Sequence, residues 1–114
     1  MRVDQGEIVE VNFLLPDGKF KPHPVIVLSN NDINQFEEAF IGVMISSGAP
    51  DDTYSFWLDD NMLTKSPKKP CQVRCHLISL IPENQVISKH SHIKKQYLKE
   101  LFRKINECVF NIDE

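Results

Sequence analysis

No apolar run in this chain approaches the ~20 residues that a membrane-spanning helix needs, so a membrane span is excluded. Nor does Met1-Arg2-Val3-Asp4-Gln5-Gly6 form an apolar leader, and a cytoplasmic location is the expectation. Cysteine is scarce: Cys71, Cys75 and Cys108 are an odd number, without the dense spacing of a small secreted disulfide scaffold. Reduced and mostly buried thiols are therefore expected. Excess positive charge is also missing; the net charge of −3 argues against a protein that coats nucleic acid along its whole surface. Internal repeats and low-complexity tracts are absent as well.

What is present suits one folded domain over residues 1–114, with 41% hydrophobic and 25% charged residues. The charges are segregated. Lys65, Lys68, Lys69 and Arg74 lie in one stretch, and Lys94, Lys95, Lys99, Arg103 and Lys104 in another. Acidic residues gather at Glu37-Glu38, Asp51-Asp52, Asp59-Asp60 and Asp113-Glu114. Each cluster taken alone reads as a solvated surface face; together they fit a molecule with one basic groove.

The alternation from Glu7 to Leu14, with Val9, Val11 and Phe13 on one side, predicts a half-buried strand. Pro16-Asp17-Gly18 is a turn signal, and Lys19 to Pro22 continues as loop. Val25 to Ser29 is the second strand and Ala39 to Ser46 the third, separated by a polar, loop-like Asn30 to Gln35 with room for a helical turn. Thr53 to Leu58 is a short aromatic strand, in which alternation sets Tyr54 and Phe56 on one face and Trp57 on the other. Asn61 to Pro70 reads as an exposed loop. Cys71 to Ile81 is a long strand with Val73, Cys75, Leu77 and Ser79 on one face, and Gln85 to Ser91 another short one. From Ile93 to Val109 the apolar residues follow the rhythm of an amphipathic helix. Short strands, tight turns and one closing helix indicate a small curled β-sheet or barrel with the helix packed on it.

The junction Pro22-His23-Pro24 offers chemistry as well as structure. The prolines stiffen the backbone on both sides of His23 and force it extended. The imidazole, which exchanges protons near neutral pH, is thereby held on a rigid base at a strand entrance. The bland alternative is a strand-edge histidine bonded to backbone. A second constellation, Cys71-x-x-x-Cys75-His76 with His90-x-His92, supplies ligand types that zinc accepts, but its spacing matches no common zinc motif and the cysteines fall on the core-facing side. No metal or other cofactor is expected. The aromatics Tyr54, Phe56 and Trp57 could stack bases, though core packing is the plainer reading.

The order of segments resembles the MazF/PemK-like toxins of bacterial type II toxin–antitoxin modules. Gly6-Glu7-Ile8-Val9-Glu10-Val11-Asn12-Phe13 is similar to that family's opening G-D-I-x-x-V-x-F. His23-Pro24-Val25-Ile26-Val27-Leu28-Ser29-Asn30 resembles its R-P-A-x-V-L-S strand, and Val43 to Ser47 occupies the place of V-x-P-x-T-S. Gln72-Val73-Arg74 resembles its Q-V-R element. The resemblance implies a mainly β, SH3-like barrel of five to seven strands with a C-terminal helix. It also implies a homodimer, a metal-independent endoribonuclease acting on single-stranded RNA, and a cognate antitoxin as partner. The family's catalytic arginine and threonine fall on His23 and Ser46, so a titrating ring replaces a permanent cation and one hydroxyl replaces another. Under this resemblance His23 exchanges protons, Ser46 holds a phosphate oxygen, and Lys19, Lys21, Ser47, Lys68, Lys69 and Arg74 bind RNA. The alternative is a catalytically degenerate module that binds RNA or a protein through the same groove.

Overall fold

The computed structural model describes residues 2–114. Strand β1 (Glu7–Leu14) pairs antiparallel with β2 (Phe20–Val27) across the Pro16-Asp17-Gly18 turn. Gly18 supplies the turn's positive φ of 84°, and Asp17 Oδ1 accepts from Lys19 N at 2.9 Å. The pairing continues to Leu14↔Phe20, so β2 begins earlier than the expected Val25. His23 consequently lies in mid-strand instead of at a strand entrance. The prolines survive there because β3 pairs only with Val25 to Val27, which leaves the first half of β2 a free edge, the position at which strands tolerate proline.

Asn30 to Gln35, expected as loop with room for a helical turn, is mostly helix α1 (Asn31–Glu37), longer than that turn. The Asn30 side chain caps it by accepting from Ile33 N at 3.0 Å, and Glu38 ends it in the left-handed region at φ 51°. Strand β3 (Ala39–Ser46) follows, then β4 (Ser55–Leu58), β5 (Cys71–Pro82), β6 (Val86–His92) and the closing helix α2 (Lys95–Cys108). The six strands form one antiparallel sheet in the order β4-β5-β3-β2-β1-β6.

Two irregularities matter. The β3–β5 ladder slips between Val43↔Ile78 and Ile45↔Val73. That bulge reverses the alternation of β5, so Ile78 packs with Val73 and Cys75 while Leu77 is exposed, the opposite of the expected pairing of Leu77 with Cys75. The β1–β6 ladder slips between Ile8↔Ser91 and Val9↔Lys89, which leaves His90 as the extra, unpaired residue of a second bulge.

The sheet curls until its two ends meet. Leu63, in the segment after β4, bridges to Ile93 beyond β6. Thr64 N donates to His92 O at 2.9 Å and Lys94 N to Met62 O at 2.8 Å, and Lys65 N donates to Ser91 Oγ at 3.0 Å. Gly6 makes this seam possible: its φ of 89° and the His92 ring, 2.7 Å from where a Cβ would stand, admit no side chain.

Two apolar clusters fill the interior. Leu98, Leu101 and Ile105 of α2 pack on Ile8, Ile26, Val43 and Val73. Val9, Val11, Val25, Val27, Phe40 and Ile81 fill the other side of the sheet. Burying a side chain such as Leu101 contributes about 1.5–3 kcal/mol, so the amphipathic stripe of α2 is the main fastening of the helix. Among the described residues no helix is long and apolar enough to cross a membrane.

Candidate functional site

A cleft of about 560 Å³ opens between β1, β2, the end of β3 and the segment that follows β4. Its floor is apolar, made by Ile8, Pro24, Ile45, Leu58, Leu63 and Cys71. Polar groups ring the floor: Glu10 from β1, His23 from β2, Ser46 and Ser47 at the end of β3, and His90 and Ser91 from β6. Lys65, Lys68 and Lys69 form one lip. A chain with a net charge of −3 thus gathers three ammonium groups around one carboxylate and the His90 imidazole.

Of the residues expected at a site, His23, Ser46, Ser47, Lys68 and Lys69 do come together here. The last β2–β3 pair is Val25↔Met44, and His23 and Ser46 each lie two residues beyond it on their strands. Ser46 Oγ accepts from Gly48 N at 3.3 Å. Lys19 and Lys21 do not line the cleft; they belong to the exposed β1–β2 hairpin.

Arg74 is not in the cleft either. Its guanidinium is buried and saturated by Asp52, Pro50 O, Ser55 Oγ and Gln72 Oε1. It fastens the loop between β3 and β4 to β5, and Gln72 Nε2 adds bonds to Ala49 O and Pro50 O at 3.0 and 3.2 Å. That loop covers the outer face of β5, which explains why five consecutive residues, Cys71 to Cys75, are all buried.

The setting of His23 differs from that of a freely presented base. Adjacent strand residues face opposite ways, so Pro24, opposite Glu10, turns to the cleft floor, whereas His23, opposite Val11, shares the face of Val11 and Val25. Its ring meets Phe13 edge-on, centroids 6.1 Å apart and planes at 78°. Its Nε2 is buried and has no hydrogen-bond partner among the described residues. Leaving such an atom unpaired costs about 1–3 kcal/mol.

Glu10 and His90 are the residues that sequence reasoning missed at this site. His90 Nε2 lies 3.9 Å from Glu10 Oε2 and 3.3 Å from Ser88 Oγ. The two partners are separated by nearly the whole chain, and only the pairing of β1 with β6 joins them. The alternation of β1 had already set Glu10 apart from Val9 and Val11, which is the one signal the sequence carried.

The other constellations separate. Cys71 and Cys75 are buried in the core, and burial pushes the Cys75 thiol up to about 11; all three cysteines are free. His76 stacks on Tyr54 with centroids 4.5 Å apart, and His92 Nδ1 lies 2.7 Å from Ile93 O. Among the described residues no group of three or more His, Cys, Asp or Glu side chains could hold a metal ion. Phe56 packs against the core while Tyr54 and Trp57 are partly exposed, so Tyr54 and Phe56 do not share an environment. Trp57 Nε1 donates to Asp51 Oδ1 at 2.9 Å.

A family model described as PemK-like, MazF-like toxin of type II toxin–antitoxin system matches residues 4–109. Solved structures of the same shape include MazF from Deinococcus radiodurans, with a TM-score of 0.78 at 15% identity over 97% of this chain and 99% of that one. A MazE–MazF complex from the same organism gives 0.77 at 16% identity over 98% and 100%. An endoribonuclease in complex with its cognate antitoxin from a mycobacterial species gives 0.75 at 9% identity over 98% and 99%. No curated protein matches the chain by sequence.

Proposed function

The chain belongs to the PemK-like, MazF-like toxins of type II toxin–antitoxin systems, and from that membership we propose that it is an endoribonuclease cutting single-stranded RNA in the cleft. The observation that carries the reading is the cleft itself. It gathers His23, Ser46, Ser47, Lys68 and Lys69 from segments far apart in the chain, with Lys65 beside them.

Cleavage by internal transfer needs a base for the 2′-hydroxyl proton, an acid for the leaving 5′-oxygen, and positive charge for the phosphorane. The lysine lip supplies the charge, and it also attracts the RNA backbone at long range. Ser46 Oγ donates to a non-bridging phosphate oxygen, a bond that grows stronger as charge accumulates there. Since lysines and a hydroxyl do this work, the reaction in this reading requires no metal. His23, at the family's arginine position, takes part in proton transfer once its ring swings from Phe13 to expose Nε2. The solved MazE–MazF complexes support an antitoxin as the natural partner. A homodimer is supported by exposed apolar residues such as Ile41 and Leu80, paired side by side on β3 and β5.

One observation favours a second reading. Because His23 Nε2 is out of contact with solvent, a module that binds RNA or a protein in the same cleft without cutting accounts for a silent imidazole. Incubation of the purified protein with mixed single-stranded RNA, followed by mapping of 5′ ends, separates the two. New 5′-hydroxyl ends support the endoribonuclease; retention of RNA with no new ends supports the binding module.

A further inference from the structure

We propose that His90 is a catalytic residue of the cleft, the base that takes the 2′-hydroxyl proton, and that Glu10 is its positioning residue. The inference rests on the endoribonuclease reading and deepens it at the same site.

Four observations carry it. First, His90 lines the cleft together with Ser46 and the lysine lip, and its side chain is 50% exposed, whereas His23 Nε2 is sealed off. Second, His90 is the residue skipped at the first of two register shifts in the β1–β6 ladder, between Ile8↔Ser91 and Val9↔Lys89. A bulge breaks the alternation of a strand and re-aims one side chain, and such irregularities recur next to active sites. Third, Nε2 of His90 faces two oxygens, Ser88 Oγ at 3.3 Å and Glu10 Oε2 at 3.9 Å. In the tautomer the proposal requires, Nε2 carries the proton and shares it with these oxygens, which leaves the Nδ1 lone pair for a substrate. Fourth, Glu10 lies opposite Pro24 in the β1–β2 ladder and opposite Ser88 in the β1–β6 ladder. It therefore stands on the strand between the two histidine-bearing strands, with the rigid centre of the sheet behind it.

The chemistry balances without a further reagent. Nδ1 of neutral His90 accepts the 2′-hydroxyl proton as O2′ attacks phosphorus. The P–O2′ bond forms, the P–O5′ bond breaks, and the products are a 2′,3′-cyclic phosphate and a 5′-hydroxyl whose proton comes from the swung-out, protonated His23 ring, which water then reprotonates. The imidazolium formed on His90 is stabilised by the Glu10 carboxylate and returns its extra proton to solvent when product leaves. The charged and titratable groups around His90 are Glu10 on β1, His23 on β2, Cys71 on β5, and Lys65, Lys68 and Lys69 on the lip. Among these, Glu10 lies 3.9 Å from the ring's Nε2.

The test is RNA cleavage by purified wild type, His90→Ala, Glu10→Gln and Glu10→Asp, followed across pH, with thermal unfolding of each variant as a control. Support is a loss of roughly 10²–10⁴-fold in kcat for His90→Ala, at unchanged RNA affinity and Tm, with the acid limb of the pH profile removed. Glu10→Gln should lower kcat with KM unchanged, and Glu10→Asp should restore part of the rate. His90→Ala cutting RNA with the wild-type rate and pH profile overturns the proposal while leaving the endoribonuclease reading intact. Wild type that binds RNA and yields no new ends overturns both.

Discussion

Arg74 grips Asp52 with both ends of its guanidinium, Nη1 to Oδ1 at 3.0 Å and Nη2 to Oδ2 at 2.9 Å. The arginine is buried and the aspartate is open to water on its outer side, so the pair forms a lid clamp: a fork–fork contact of fixed geometry that holds the loop from Ser47 to Tyr54 over β5. An arginine near a basic cleft invites an RNA-binding role. Here its donors are already spent on Asp52, Pro50, Ser55 and Gln72, and its work is to shape the wall next to Ser46 and Ser47.

The clamp has a pH signature. Hydrogen bonding from Arg74, first among the causes, holds the Asp52 carboxyl down to about 2 against an ordinary 3.8. A lowered acid contributes stability that is complete above the unfolded value and lost as pH falls towards the folded one. Urea midpoints should therefore drop between 3.8 and about 2 more steeply for wild type than for Asp52→Asn. Solvent around Asp52 keeps the difference small. Parallel curves for the two proteins would show that the clamp carries no pH-dependent stability.

His23→Phe tests the sealed imidazole. An apolar ring of similar shape keeps the Phe13 contact and removes the unpaired Nε2, so stability should hold or rise by up to about 1 kcal/mol. RNA cleavage should fall by at least about 10²-fold if the ring exchanges protons after swinging free. Unchanged cleavage by a stable His23→Phe protein would remove His23 from the chemistry. Chemical denaturation and a cleavage rate on the same preparation give both answers.

The lysine lip should be legible in salt dependence. Replacing Lys65, Lys68 and Lys69 with Ala removes three phosphate partners. Each contributes roughly 0.7 to the slope of log affinity against log salt for a single strand. A fluorescence titration of an RNA oligonucleotide over a range of salt should show the slope reduced by about 2 in the triple variant. A slope equal to that of wild type would place the RNA elsewhere.

Gly6 and Gly18 make a matched pair. Both have positive φ, 89° and 84°, but a Cβ on Gly6 would stand 2.7 Å from His92 Cε1 while one on Gly18 meets nothing within 4 Å. Gly18→Ala should cost about 1–2 kcal/mol for its backbone alone. Gly6→Ala should cost clearly more, because the His92 ring and the Ile93 N to Gly6 O bond of 2.9 Å must also give way. Equal losses of stability in denaturant would mean that His92 moves aside freely.

The sequence was most readable where one periodicity ran unbroken. β1 and α2 declare themselves because their apolar residues repeat with one period, Val9-Val11-Phe13 in the strand and Leu98-Leu101-Ile105 in the helix. The start of β2 was hidden because Pro22 and Pro24 signal loop locally, whereas hairpin pairing with Asn12 and Glu10 draws them into the sheet. The Asn30 cap outweighed the polar composition that suggested a loop. The two bulges have no residue signature, so neither the inversion at Leu77 and Ile78 nor the re-aimed His90 could be read from alternation. The cleft was half visible for the same reason. His23, Ser46 and Lys68 sit on segments with recognisable patterns, while Glu10 and His90 meet only through the β1–β6 register.

The seam between Gly6, the segment after β4, and His92-Ile93 also sets a timetable for synthesis. β1 is made before β6, and its Ile8 and Glu10 find their partners Ser91 and Ser88 only after β6 has emerged. Closure over so long a separation is intrinsically slow. A chain that already carries β2, β3 and their His23 and Ser46 still lacks one wall of the cleft, and that wall is complete only when β6 has joined β1.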